Sequence, residues 1–435
     1  MPEIDAHLDD DVKVHVALPG KPPRWRPHRR RSISPRSAEF NDSAAAATAS
    51  RGAEEGADAG SDAADYSSDV DMLPIRVSTA GLLSGTFGSG AVRGPDLRTT
   101  VAGAVGRMAM RWGRMKAIVQ DRYGSADVLD FRDVARPEFG PEDVLVKVVA
   151  AGVDLGAWHF MTGQPYLMRI LGFGLRAPRT RVPGTNVAGR VEAVGRDVAG
   201  FQPGEQVYGT CRGAYAEYAR VRQDKLAPIP TGLSFEQAAV TPYACFAALQ
   251  ALRDHGKVQP DQQVLVVGAS GAVGTFAVQL AKVFGAKVTG VCSGPKADLV
   301  RSLGADHVID YTDKGFAGGD RKFDLVIDIG GDNPVSRLRR TLKPRGRLVI
   351  VGGEGDRWTG VHRQLWASLM SLFVRQKLGT FIVKENARDL QFLNELIEAG
   401  KVKPVIDRTY PLGAAPDAVR YFESGRATGR IALVV

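Results

Sequence analysis

A strand-like run of apolar residues, Val264 to Val267, ends in Gly268-Ala269-Ser270-Gly271-Ala272-Val273-Gly274, and a helical pattern follows at once. The spacing G-x-x-G-x-x-G between a strand and a helix is a variant of the dinucleotide-binding fingerprint. Glycines let the backbone turn sharply and approach a pyrophosphate, and the helix N-terminus offers unpaired N–H groups with positive partial charge. Gly268, Ser270, Gly271, Ala272, Val273 and Gly274 are therefore expected to cradle a cofactor. A turn that merely needs glycine at positive φ is the plainer alternative. The next strand, KVTGVCS, ends at Ser293 and continues Gly294-Pro295-Lys296, with no carboxylate before Asp298. Sites that prefer NAD place an acid there for the ribose hydroxyls. A small hydroxyl and a lysine would welcome a 2′-phosphate instead, so Ser293 and Lys296 predict NADPH over NADH.

These residues need a scaffold, and the sequence supplies its rhythm. From about Phe235 apolar strands alternate with amphipathic helices: a helical stretch FEQAAVTPYACFAALQAL, then VLVVG, KVTGVCS, HVIDY, FDLVIDIG and RLVIVGG with helices between them. That order implies a parallel sheet covered on both faces. Before it, residues from Met115 onward alternate in strand-like segments broken by Pro and Gly, as in VLVKVVAAGV and VAGRVEAVG. Residues 1–114 are of another texture. Ser43 to Asp71 holds almost no large apolar side chains, too few to offset the entropy of ordering, so a disordered extension is expected, with a short helix near Thr99 to Met110. MKAIVQ marks Met115 as the expected native start.

Of the 435 residues, 57 are Lys or Arg and 48 Asp or Glu. Residues 1–114 hold 15 of each, so the whole positive excess lies in the remainder. A mildly basic fold suits anionic ligands such as a phosphorylated cofactor, and the charge is too diffuse to imply nucleic acid. No run of about 18 apolar residues suggests a membrane span, and no membrane partner is expected. The acidic N-terminus lacks a signal-peptide core. The cysteines Cys211, Cys245 and Cys292 are too few and scattered for a disulfide framework, which fits a reducing cytoplasm.

The region 115–435 resembles the medium-chain dehydrogenase/reductase superfamily in its quinone oxidoreductase (enoyl reductase) branch. The resemblance rests on ordered blocks: GVDLGAWHFMTGQPYLMR, VPGTNVAGRVEAVG, GAYAEYARV, AALQAL, GASGAVG, LGADHVIDY, LKPRGRLVIVGG and GRATGRIALVV. It implies an α/β fold: a GroES-like partial β-barrel over 115–236, completed by 403–435, with a Rossmann domain at 237–402 and a cleft between them. It also implies that Lys296 and Tyr311 lie near the adenosine phosphate, Gly352 and Gly353 near the nicotinamide, and Gly330 at the end of the strand before it. GTFIVKEN, at 379–386, resembles the Rossmann edge strand through which relatives dimerise, so a homodimer is expected.

Zinc-dependent members of the superfamily ligate catalytic zinc with a Cys after the early strand and a His-Glu pair after the Pro-Gly turn. Here those places read Gly152-Val153-Asp154 and Pro183-Gly184-Thr185-Asn186, and the four-cysteine structural lobe is missing. Zinc needs three or four nitrogen, sulfur or carboxylate ligands in a tetrahedral cage, so no metal is expected. The implied reaction is hydride transfer from NADPH to a quinone or an α,β-unsaturated carbonyl compound, with a small hydrophobic substrate. Asp154 occupies the place where relatives carry Asn or Asp near the nicotinamide. His159 and Tyr166 follow on the same stretch and are candidates to hydrogen-bond a carbonyl or relay a proton; each also has a structural reading, in a turn, a loop cap and a lid. Apolar segments at 166–175 and 365–374 would frame a pocket for a hydrophobic substrate; dimer contact or a core helix is the plainer alternative. Two alternatives stay open: an NADPH-binding sensor with little turnover, or an alcohol or aldehyde dehydrogenase of the same superfamily.

Overall fold

The computed structural model describes residues 113–312, 321–330, 333–352 and 362–435. The expectations for residues 1–112 and for Gly353 fall outside them.

The first half is built on β3 (Asp143–Val153), which follows a small antiparallel pair, β1 (Arg114–Val119) and β2 (Asp130–Ala135). β3 pairs antiparallel with β4 (Asn186–Val194), which pairs with β5 (Gln206–Thr210); β6 (Tyr218–Arg222) returns to β3, and β7 (Leu226–Pro228) closes on β5. The alternation read in VLVKVVAAGV becomes an inward set, with Val146 and Val187 packing beside Tyr215 and Leu433 in one core.

The second half is a six-stranded parallel sheet in the order β10-β9-β8-β11-β12-β13. Its strands are β8 (Gln263–Val267), β9 (Lys287–Cys292), β10 (His307–Asp310), β11 (Phe323–Asp328), β12 (Leu342–Ile350) and β13 (Lys377–Thr380). Helices cover both faces, so central strands are apolar on both sides: Leu325 and Ile327 join Phe276 and Leu280 in one layer, while Leu265 and Leu348 join Leu338 in the other. The chain then comes back to the first sheet: β14 (Ile406–Pro411) pairs with β15 (Arg430–Val434), and β15 lies antiparallel to β3.

Two expectations shift in detail. The helical stretch after Phe235 is two helices, Phe235–Ala239 and Pro242–Gln250. Pro242 lacks the N–H a continuing helix would use and is tolerated in a first turn, so the chain breaks before it. The edge strand is Lys377–Thr380, not 379–386; the chain beyond Thr380 leaves the ladder. Phe246, on the second of those helices, is fully buried among Ala150 and Ala188 of the first sheet and Leu390, so it ties that sheet to the helical layer.

Candidate active site

The glycine turn leaves β8 as the fingerprint requires. Gly268 has φ +83°, and a Cβ there would sit 2.8 Å from the Gly330 nitrogen, so the two loops at the ends of β8 and β11 touch backbone to backbone. A Cβ on Gly274 would lie 2.0 Å from the Gly268 oxygen, which only glycine avoids. The helix Ala272–Val283 starts directly after Gly271, and no side chain caps its first N–H groups. Ser270, Ala272 and Val273 thus lie on a turn and a helix start with no side-chain cap, the kind of helix end that takes an anion. Gly352, with φ +91°, follows β12.

At the neighbouring strand end, Ser293 precedes Lys296, whose Nζ donates to the Gly425 oxygen at 3.2 Å and the Ala427 oxygen at 2.8 Å. Those two carbonyls flank Arg426, an exposed cation that the sequence reading passed over because it stands 130 residues away in the chain. Tyr311 is 55% exposed, and its N–H donates to Cys292. Asp310 brings a carboxylate to this edge, but its Oδ1 accepts from the Thr312 amide at 2.9 Å and hydroxyl at 2.6 Å, and those bonds hold its pKa below the usual value.

At the end of β3 the register sets Asn186 of β4 opposite Gly152 and Ile431 of β15 opposite Val153, so Asp154, Asn186 and Arg430 gather at one place. Asp154 is 2% exposed. It caps the helix Leu155–Thr162, its Oδ1 accepting from the Ala157 N–H at 2.7 Å. Its Oδ2 accepts from the Thr185 hydroxyl and the Asn186 amide. The Asn186 carbonyl in turn accepts from the Tyr243 N–H at 3.1 Å. A carboxylate whose oxygens both serve the scaffold is placed to position, not to deliver a proton.

His159 lies half-buried on the same helix, its Nδ1 2.6 Å from the Gln164 oxygen. A carbonyl can only accept, so Nδ1 carries the hydrogen and Nε2 keeps its lone pair in the neutral ring. Burial pushes the His159 pKa down. Tyr166 opens the next turn after Pro165, and the Arg169 guanidinium lies 4.6 Å from its ring and 4.2 Å from the Tyr123 ring. Arg169 also donates to the Gly163 and Thr162 oxygens, so this one arginine fastens the loop that carries Tyr166.

Arg430 is the second residue the sequence reading missed. It is 3% exposed, and its Nε and Nη2 have no hydrogen-bond partner among the described residues. Burial lowers its pKa, with the Asp154 charge opposing. An arginine opening the apolar strand RIALVV was the available signal. Farther along, Gln364 donates to the Gly352 oxygen at 2.9 Å and Arg363 pairs with buried Asp328, fixing the start of the helix His362–Ser371 against the ends of β11 and β12.

The donor set at the end of β3 does not suit zinc. Both Asp154 oxygens accept from protein donors, and residues 152–154 and 183–186 bring no Cys, His or Glu to that place. Among the described residues no group of three or more His, Cys, Asp or Glu could hold a metal ion.

Comparison with known proteins agrees with the architecture. Residues 140–231 match the alcohol dehydrogenase GroES-like domain family, and residues 303–433 match the family described as zinc-binding dehydrogenase. The chain is 35% identical over 334 residues to 2-methylene-furan-3-one reductase of Solanum lycopersicum, covering 73% of this chain and 79% of that one. It is 33% identical over 336 residues to the chloroplastic NADPH-dependent alkenal/one oxidoreductase of Arabidopsis thaliana, covering 73% and 78%. A solved quinone oxidoreductase from Coxiella burnetii superposes with a TM-score of 0.67 at 28% identity, covering 74% of this chain and 99% of that one.

Proposed function

The chain belongs to the medium-chain dehydrogenase/reductase family of NAD(P)H-dependent oxidoreductases, in its quinone oxidoreductase branch, and from that membership we propose that it reduces quinones and α,β-unsaturated carbonyl compounds with NADPH and without zinc. The observation that carries the reading is the end of β3, where the Thr185 hydroxyl and the Asn186 amide both donate to Asp154 at the place zinc-dependent relatives use for metal. Alcohol oxidation leans on a metal to stabilise an alkoxide; reduction of a polarised double bond does not.

The residues fit the cofactor. The Gly268–Gly274 turn and the amides behind it would take the pyrophosphate, and Ser293, Lys296, Tyr311 and Arg426 would surround the 2′-phosphate, where Arg adds a bidentate cation. Gly330 and Gly352 would flank the nicotinamide. Arg430 supplies a buried cation near Asp154 whose Nε and Nη2 have no hydrogen-bond partner among the described residues. Bound NADPH supplies the hydride. The chain's own work is orientation: Asp154 and Asn186 fix the strand end and the Tyr243 helix, and Arg169 holds Tyr166 in place. The Tyr166 hydroxyl is the group we assign to hydrogen-bond the substrate carbonyl. The His159 Nε2 accepts a hydrogen bond from substrate or water, and solvent supplies the proton. The boundaries 115–236, 237–402 and 403–435 are the division we propose for the domains, and pairing of two copies along the free edge of β13 is the proposed assembly.

Steady-state oxidation of NADPH and NADH with quinones, enones and short aldehydes tests this. Turnover of quinones or enones with a strong NADPH preference is expected. Tight NADPH binding with no turnover of any acceptor would favour the sensor reading instead.

A further inference from the structure

The register that sets Asn186 opposite Gly152 also sets Thr210 opposite Asn186. The loop leaving β5 therefore starts beside the Asp154 cap, where the Cys211 N–H donates to the Thr185 oxygen at 2.9 Å. One residue on, the Arg212 guanidinium lies 5.5 Å from the centre of the Phe160 ring. Phe160 directly follows His159 on the helix Leu155–Thr162. Its ring stacks on Phe173, with centroids 4.1 Å apart and planes at 14°. The Phe173 oxygen accepts from the Arg179 N–H at 2.8 Å. The Phe160 oxygen accepts from the Gln120 amide at 2.9 Å. Arg212 and Arg179 are thus both tied to one pinned aromatic stack, next to the two residues assigned to the acceptor.

No Asp or Glu occurs from Leu155 to Val191, and both oxygens of the buried Asp154 accept from protein donors. Arg181 in this segment is answered by Asp121. Arg176, Arg179 and Arg212 are exposed, and none has an ion-pair partner among the described residues. A lone surface arginine is ordinarily a solvated charge. Arg212 differs because an aromatic face holds its guanidinium, and stacking leaves the N–H fork free for a ligand. We propose that Arg212, with Arg179 beside it, receives a carboxylate carried by the acceptor. The substrate class is then the conjugated carbonyl acid, and the expectation of a wholly hydrophobic substrate is revised. The inference rests on the reduction proposed above: the reacting carbonyl lies toward Tyr166 and His159, and the carboxylate toward the Arg212 fork, whose geometry matches it. The cofactor phosphates have other donors, at the Gly268–Gly274 turn and at Lys296 and Arg426, which leaves Arg212 to the acceptor.

Reduction of (E)-4-oxopent-2-enoate by NADPH is compared with that of its uncharged methyl ester, in the full-length protein and in Arg212→Gln, Arg179→Gln and Arg212→Lys variants. The acid-to-ester ratio of kcat/KM is expected to fall about tenfold in Arg212→Gln. A smaller fall is expected in Arg179→Gln, and partial recovery in Arg212→Lys. Calorimetric titration with the reduced product, 4-oxopentanoate, in the presence of NADP+ reads the carboxylate site without turnover, and its affinity should fall by a similar factor. If neither acceptor is reduced while product binding still weakens in the variants, the reductase reading fails and the carboxylate site stands. An unchanged ratio and an unchanged product affinity in Arg212→Gln overturn the proposal, as does the absence of product binding to the unaltered protein. An equal loss with acid and ester also overturns it and makes Arg212 part of the scaffold. A raised KM for NADPH with the ratio unchanged overturns it in favour of the cofactor.

Discussion

Asp154 shows how a residue's type can be legible while its role is not. The sequence places a carboxylate after the early strand; only the fold brings the Thr185 and Asn186 donors to it from 31 and 32 residues away. Asp154→Ala removes a helix cap and strands two buried donors, so a loss of about 2–4 kcal/mol is expected, read from the denaturant midpoint. An unchanged midpoint would mean the carboxylate is not a strut. Arg430 gives the opposite sign. Replacing an unpaired buried cation by an apolar side chain of similar length does not lower the stability of the cofactor-free protein, whereas NADPH binding should weaken about tenfold or more; Arg430→Met examined by thermal melting with and without NADPH separates the two. His159 titrates lower in the fold than when unfolded, so the unfolded chain takes up the proton first. The stabilisation from the neutral ring is complete above its unfolded pKa of about 6.5 and drains away as pH falls below it. His159→Gln should flatten that part of the profile of melting temperature against pH.

Elements were easiest to read where pattern and turn chemistry agreed. The strand–glycine–helix unit at 264–283 followed from local spacing alone, because backbone approach and helix amides are properties of the segment itself. Gly274→Ala would press a Cβ to 2.0 Å from the Gly268 oxygen; the turn must open, and NADPH binding is expected to fall below detection in calorimetry. The helix break before Pro242 and the early end of β13 at Thr380 were less legible, since an apolar stretch reads as continuous until a neighbour decides where it stops. Lys296 was visible in sequence, but its bonding to the carbonyls on either side of Arg426 was not, because the C-terminal loop reaches it only through the closing of β15 on β3. Lys296→Glu with Arg426→Glu should raise the KM for NADPH about 10- to 100-fold and leave that for NADH nearly unchanged. At the junction of the two sheets, Phe246→Ala should cost about 3–5 kcal/mol, measured by chemical denaturation.

At the scale of the molecule, alternating strands and helices foretold the parallel sheet, and the ordered blocks foretold the barrel-like sheet. What no periodicity could reveal was which apolar residues stay outside. Leu372 and Phe373 read in sequence as pocket lining, dimer contact or core helix, and they stand 77% and 81% exposed in the fold. The central claim is that this chain transfers hydride from NADPH to a conjugated acceptor with its own residues and no metal. Single-turnover reduction of an enone by metal-stripped protein with deuterium at both C4 positions of NADPH, followed by mass spectrometry of the product, tests it most directly. One deuterium on the β-carbon, at a rate indifferent to chelator, is the predicted result. Loss of turnover on chelation with recovery on adding zinc, or product without label, would contradict it.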